Sequence, residues 1–178
     1  MNKLFQNEIC EKALKDIAGG DMSGLNILYE NFARLLFSVA YTLTGSRETA
    51  EDVLQDTFLK IAENAVAYKH RENGSVKAWV VTICRNLSLD YLRKNVPTVE
   101  IDHNLHIKDT AADIDSDLAF FELLSPLDNE EKEIIILKLY SGFRHTEIAK
   151  ILDLPPQNVR QKYKRAVDKL KKSNKKEA

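Results

Sequence analysis

From residue 155 to residue 176 the chain places Arg160, Lys162, Lys164, Arg165, Lys169, Lys171, Lys172, Lys175 and Lys176 against a single acid, Asp168. At 100° per residue, Val159, Tyr163, Ala166, Val167 and Leu170 gather on one side of a helix. Asn158, Gln161, Lys164, Arg165 and Asp168 lie opposite, with Arg160 and Lys162 on the flanks. Amide and guanidinium groups make hydrogen bonds to base edges, while ammonium groups neutralise phosphates. Asn158, Gln161, Lys164 and Arg165 are therefore candidate base readers, and Arg160, Lys162 and Lys171 candidate phosphate contacts. The helix start itself favours an anion. A merely solvated basic face would have the same composition. The preceding stretch decides between the two, because Ile148, Ala149, Leu152, Leu154 and Val159 are spaced to close one helix over another about a tight turn. A rigid basic helix on a small support is suited to the major groove of duplex DNA.

Two further constellations lie upstream. In the segment 50–61, Ala50, Val53, Leu54, Thr57, Phe58 and Ile61 form an apolar set, and the other face holds Glu51, Asp52, Gln55 and Asp56 with Leu59 in its midst. A leucine ringed by carboxylates and an amide is a pattern of protein-docking faces as well as of ordinary surfaces. The segment 76–93 is apolar or basic nearly all round. Val76, Val80, Ile83, Cys84, Leu87 and Tyr91 form one stripe, with Ala78, Thr82, Arg85, Leu89 and Arg93 opposite and Trp79 and Asn86 at the boundary. Arginines that meet backbone beside an amide and aromatics that meet bases would make a single-strand surface; a central helix buried on most sides would read the same way. The polar loop before it, 68–74, begins with Tyr68 and contains His70.

These segments need helices to position them, and helical periodicity dominates the 178 residues. The pattern predicts a short helix near 8–17, a long one through Leu25–Leu43 ending before Gly45, one capped by Ser46, and one from Val76. Pro97 breaks the pattern. After it, Asp128 with Glu131 predicts a capping box for a helix ending near Tyr140 and closed by Gly142. The expected fold is all-α: a helical domain over 1–96, a flexible acidic linker over 97–113, a helix-turn-helix domain over 114–172 and a disordered basic tail over 173–178. The net charge of −1 conceals a segregation, since residues 1–96 carry 12 basic and 12 acidic side chains, 97–122 carry one and seven, and 123–178 carry 13 and eight. Local field, not the sum, governs attraction to nucleic acid.

Several classes of function find no support. There is no glycine-rich phosphate loop, nucleophile elbow or His-Glu metal motif, and the four histidines and two cysteines make no ligand set. No enzymatic activity, cofactor or metal is expected. With no signal-peptide pattern and no apolar run of spanning length, a cytoplasmic chain without membrane insertion is expected.

Three motifs in order resemble those of the extracytoplasmic-function branch of bacterial RNA polymerase sigma factors. They are AEDVLQDTF from Ala50 to Phe58, WVVTICRNLSLDYLR from Trp79 to Arg93, and GFRHTEIA from Gly142 to Ala149. The resemblance covers nearly the whole chain. It implies a non-catalytic promoter-specificity subunit, monomeric when free, that binds core RNA polymerase and promoter DNA, with an anti-sigma factor as a further partner. It assigns Asp52, Gln55, Asp56 and Leu59 to the clamp helices of the largest polymerase subunit, and names the polymerase flap as a further contact. Tyr68, His70, Arg85, Asn86 and Arg93 match the melting and reading of the minus-ten element, where a base is flipped into a pocket. Asn158, Arg160, Gln161, Lys162, Lys164 and Arg165 would bind the minus-thirty-five element as duplex. The chain departs from the family in having Asp153 where the turn usually has Gly, and in the residues that open the recognition helix, Gln157 to Lys162. The competing reading is a stand-alone helix-turn-helix repressor or activator whose first domain binds a ligand or dimerises. Such a protein has no use for an exposed Asp52/Gln55/Asp56/Leu59 face.

Overall fold

Leu28, Phe32, Leu35, Leu36 and Val39 recur at helical steps, and all five are buried in a helix that runs Ser23–Thr44 (α2). In a computed structural model that describes residues 3–68, 75–94 and 120–174, Lys3–Ala18 (α1) and Val76–Lys94 (α4) pack on it, and Arg47–Asn64 (α3) touches it where Phe58 meets Tyr29. The first helix is longer than its apolar pattern predicts. Cys10, Ala13, Leu14 and Ile17 of α1 are fully buried, and Gly24 of α2 lies so close to α1 that a Cβ there would meet the Ala13 carbonyl oxygen. Gly45, at φ 68°, ends α2 in the left-handed region that glycine enters at no steric cost. A 3-10 turn, Ala65–Ala67, follows α3 and packs on α1. Ser75 caps α4, its hydroxyl accepting from the Ala78 amide at 3.1 Å.

The core of this unit includes hydroxyls, each of which donates to a carbonyl one turn back: Thr42 to Ser38, Thr57 to Val53 and Ser88 to Cys84. That arrangement lets polar side chains sit in an apolar interior without an unmade hydrogen bond. In α4 the buried stripe is rotated from the one read off the sequence. Val76, Val80 and Cys84 are buried as expected, but so are Val81 and Ser88, while Ile83, Leu87 and Tyr91 are only half-buried. The helix packs on both α1 and α2, so its inner face includes Val81, and the Ile83–Leu87 side opens into a cleft.

The described residues beyond 119 form a second unit. After a helical turn at 120–123 come Asn129–Leu139 (α5), His145–Leu152 (α6) and Pro156–Asn174 (α7). The expected capping box is present. Asp128 accepts from the Glu131 amide at 2.8 Å and Glu131 accepts from the Asp128 amide at 3.2 Å. Gly142, at φ 64°, redirects the chain after α5. Asp153, in the turn between α6 and α7, adopts the left-handed conformation, φ 55° and ψ 48°. The Leu154 amide then reaches back to the Ala149 carbonyl at 2.9 Å, and Pro156 opens α7 at a position where a missing N–H costs nothing. Ile148, Ala149, Leu152, Val159 and Ala166 are all buried, closing the helix-turn-helix. The helix α7 continues through Ser173 and Asn174, two residues past the start expected for a frayed tail. No β-strand occurs among the described residues. The expected linker at 97–113 lies outside them.

Candidate functional site

Three surfaces carry the residues singled out from the sequence. On α3, the buried positions Ala50, Val53, Thr57 and Ile61 fix which side faces out. Asp52, Gln55, Asp56 and Leu59 are all exposed on that side, and Leu59 is 62% exposed. The neighbouring Phe58 is half-buried and packs its ring 5.2 Å from that of Tyr29. The α3 face is thus an apolar side chain standing among two carboxylates and an amide, on a helix anchored from behind.

A second surface lies between α3 and α4. An open cleft of about 310 Å³ is lined by Lys60, Asn64 and Ala67 on one wall and by Trp79, Ile83, Asn86, Leu87 and Asp90 on the other. Its floor is apolar, its rim polar. Lys60 pairs with Glu63 at 2.7 Å, which together with the nearby Asp56 raises its pKa, and Arg93 pairs with Asp90 at 3.0 Å. Asn86 is exposed and brings one amide donor pair and one acceptor to the rim. Tyr68 packs at a tilt against Trp79, with ring centroids 5.1 Å apart, and its hydroxyl is buried with no hydrogen-bond partner. Burial, and secondarily the Glu11 carboxylate, raise the Tyr68 pKa. Tyr68 therefore presents a ring, not a hydroxyl, and supports Trp79.

Of the five residues expected at this surface, the structure brings Asn86 and Trp79-bound Tyr68 to the cleft, with Arg93 at its edge through Asp90. Arg85 is half-buried. His70 lies outside the described residues. Sequence reasoning did not name Lys60, Asn64 and Asp90, and it assigned Ile83 and Leu87 to the core. The available signal was the stripe Trp79, Ile83, Asn86, Leu87, Asp90, which holds to one helical face.

The third surface is α7. Asn158, Arg160, Gln161, Lys164 and Arg165 are exposed, as the helical wheel predicts. Lys162 is different. Its ammonium lies 2.6 Å from the Glu130 carboxylate of α5, and it is half-buried there rather than held out toward solvent. A phosphate contact by Lys162 would have to displace that ion pair. At the base of the helix-turn-helix the His145 ring packs 5.2 Å from Tyr163, and its Nε2 is buried without a partner. Burial, followed by the charges of Lys138 and Arg160, lowers the His145 pKa. Among the described residues no cluster of side chains could hold a metal ion, and no helix is long and apolar enough to cross a membrane.

A helical unit with an acidic docking-type face and an aromatic-amide cleft, joined in one chain to a basic helix-turn-helix unit, defines a DNA-directed protein that also engages another protein. The family models for sigma-70 region 2 and sigma-70 region 4 match residues 28–97 and 117–170, in that order. The chain belongs to the sigma-70 family, in its extracytoplasmic-function branch. It is 24% identical over 156 residues to the sigma factor BldN of Streptomyces coelicolor, with 82% of this chain and 56% of BldN covered. With the sigma factor SigM of Bacillus subtilis it shares 23% over 151 residues, covering 81% of this chain and 91% of SigM. The fold is also that of the sigma factor RpoE solved in complex with the anti-sigma factor NepR from Bartonella quintana: TM-score 0.61, 24% identity, 84% of this chain and 97% of that one covered.

Proposed function

We propose that this chain binds core RNA polymerase through the exposed α3 face and directs it to promoters through α4 and α7. The observation that carries the reading is Leu59, 62% exposed amid Asp52, Gln55 and Asp56 on a helix whose opposite side is fully buried. A repressor has no need of that face. A polymerase partner of basic surface does, because carboxylates steer the encounter and a central leucine supplies apolar area.

The cleft between α3 and α4 is the proposed seat of an unstacked base of the minus-ten element. Trp79 and Ile83 offer an apolar floor, Asn86 can read a Watson–Crick edge, and Tyr68 holds Trp79 in place. Arg85 and Arg93 on the same helix are the proposed backbone contacts, and His70 in the loop before it a further candidate. On α7, Asn158, Gln161, Lys164 and Arg165 are proposed to read the minus-thirty-five duplex with Arg160 on phosphate. No catalytic role is assigned; the chain works by positioning polymerase, in the cytoplasm where that enzyme acts. An anti-sigma factor is a proposed regulator, as RpoE was solved with one.

Run-off transcription with core polymerase across a genomic promoter library tests this. Transcripts from a small promoter set, lost on Asp56→Lys, are expected. Absence of any transcript, together with tight operator binding by the free protein, would establish the repressor reading instead.

A further inference from the structure

The recognition helix is held by two lysine–carboxylate pairs whose geometry points to a specific job. Lys162 reaches Glu130 at 2.6 Å and Lys169 reaches Glu131 at 2.6 Å, both acids in the first turn of α5. The lysines are seven residues, two helical turns, apart on α7, whereas their partners are adjacent. Between them on the same stripe is Ala166, fully buried. On α7, therefore, a buried small residue lies between two lysines that both reach the first turn of α5.

The two halves of this arrangement are not equally mobile. Glu131 is 3% exposed and is already fixed by the capping box, since it accepts from the Asp128 amide. Both glutamates also lie in the first turn of α5, at the positive end of its dipole. Glu131 is the fixed jaw, with Glu130 beside it, and the long flexible lysines close on them.

Resting on the reading of α7 as the duplex-binding helix, we propose that Glu130 and Glu131 are positioning residues for DNA recognition. By clamping Lys162 and Lys169 on either side of Ala166 they set the rotation of α7, so that Asn158, Gln161, Lys164 and Arg165 face outward together. The clamp also removes Lys162 and Lys169 from the set of groups that neutralise phosphate. Positioning of α7 and direct contact with DNA are thus carried by different cations of one helix.

The full-length chain, titrated against a duplex from a promoter active in run-off transcription and against a scrambled duplex, tests this from 50 to 200 mM salt. Each phosphate contact contributes about 0.9 to the slope of log K against log salt, about a 3.5-fold change in affinity over that range. Arg160→Gln, at the proposed phosphate contact, is expected to lower the slope by that amount. Lys162→Gln is expected to leave the slope in place while the ratio of promoter to scrambled affinity falls about two- to fivefold, the worth of a half-exposed ion pair. The exchange Glu130→Lys with Lys162→Glu is expected to restore the ratio. A slope loss in Lys162→Gln equal to that in Arg160→Gln, or no recovery in the exchanged pair, overturns the clamp. If Lys164→Gln and Arg165→Gln leave both slope and ratio unchanged, the assignment of α7 to DNA falls, and the clamp with it.

Discussion

Replacing Leu59 with alanine separates docking from folding. Leu59 is 62% exposed and stands on the side of α3 opposite Ala50, Val53, Thr57 and Ile61, so truncation leaves the core intact. Surface substitutions of this kind change stability by no more than about 0.5 kcal/mol. Full burial of a leucine side chain is worth about 1.5–3 kcal/mol, so covering the exposed 62% on docking is worth about 1–2 kcal/mol. Leu59→Ala should therefore weaken core polymerase binding about five- to thirtyfold. The measurement is fluorescence anisotropy of N-terminally labelled chain against core enzyme, with the thermal midpoint recorded for each variant. Asp56→Lys, which places a cation where steering requires an anion, should weaken binding further and in a salt-dependent way. A Kd within twofold of the parent for both variants, at an unchanged midpoint, refutes the assignment of this face to the polymerase.

Gly24→Ala should lower stability by about 1–3 kcal/mol and the thermal midpoint by several degrees, because the new methyl would meet backbone at Ala13 rather than a side chain that can turn away; an unchanged midpoint would mean that α1 does not pack there. Cys10 and Cys84 are buried, and burial pushes their pKa values up to about 11 and about 12, so neither should react with a disulfide reagent at pH 8 until denaturant is added. Rapid labelling of the native chain would contradict that. For His145 the folded pKa lies below the usual 6.5, so in the window below pH 6.5 the unfolded chain takes up a proton that the folded one refuses. Stability should fall with pH across that window. Urea unfolding of His145→Gln should show a smaller loss between pH 7.5 and 5.5 than the parent does, and equal losses would refute the link.

How much of this was legible in the sequence depended on how many elements each feature needs. The α7 face was readable because one helix contains both its buried stripe and its polar side, and Val159 and Ala166 alone fix the phase. The capping box at Asp128 and Glu131 was readable for the same reason, as both groups lie within four residues. Asp153 was readable as a turn because an aspartate tolerates the left-handed region that the motif requires. The cleft was not, because its walls come from Lys60 and Asn64 on one helix and Trp79, Ile83 and Asn86 on another. Periodicity counts Ile83 and Leu87 as core and cannot tell a core from an apolar floor open on one side. The capture of Lys162 by Glu130, 32 positions away in sequence, needs α5 and α7 packed together before it exists at all.

A chain of net charge −1 would exert little long-range pull on either partner if its charges were mixed. Here they are sorted. The outward face of α3 bears Asp52 and Asp56, while that of α7 bears Arg160, Lys164 and Arg165. The two faces answer differently to salt. Binding on α7 rests on phosphate neutralisation and weakens with every contact as salt rises. Docking through α3 loses its steering but keeps the apolar contribution of Leu59, which salt does not screen. On the proposed assignments, physiological ionic strength would therefore favour polymerase first and DNA second: free chain would leave most duplexes quickly, and the polymerase-bound chain would gain promoter affinity by using α4 and α7 together.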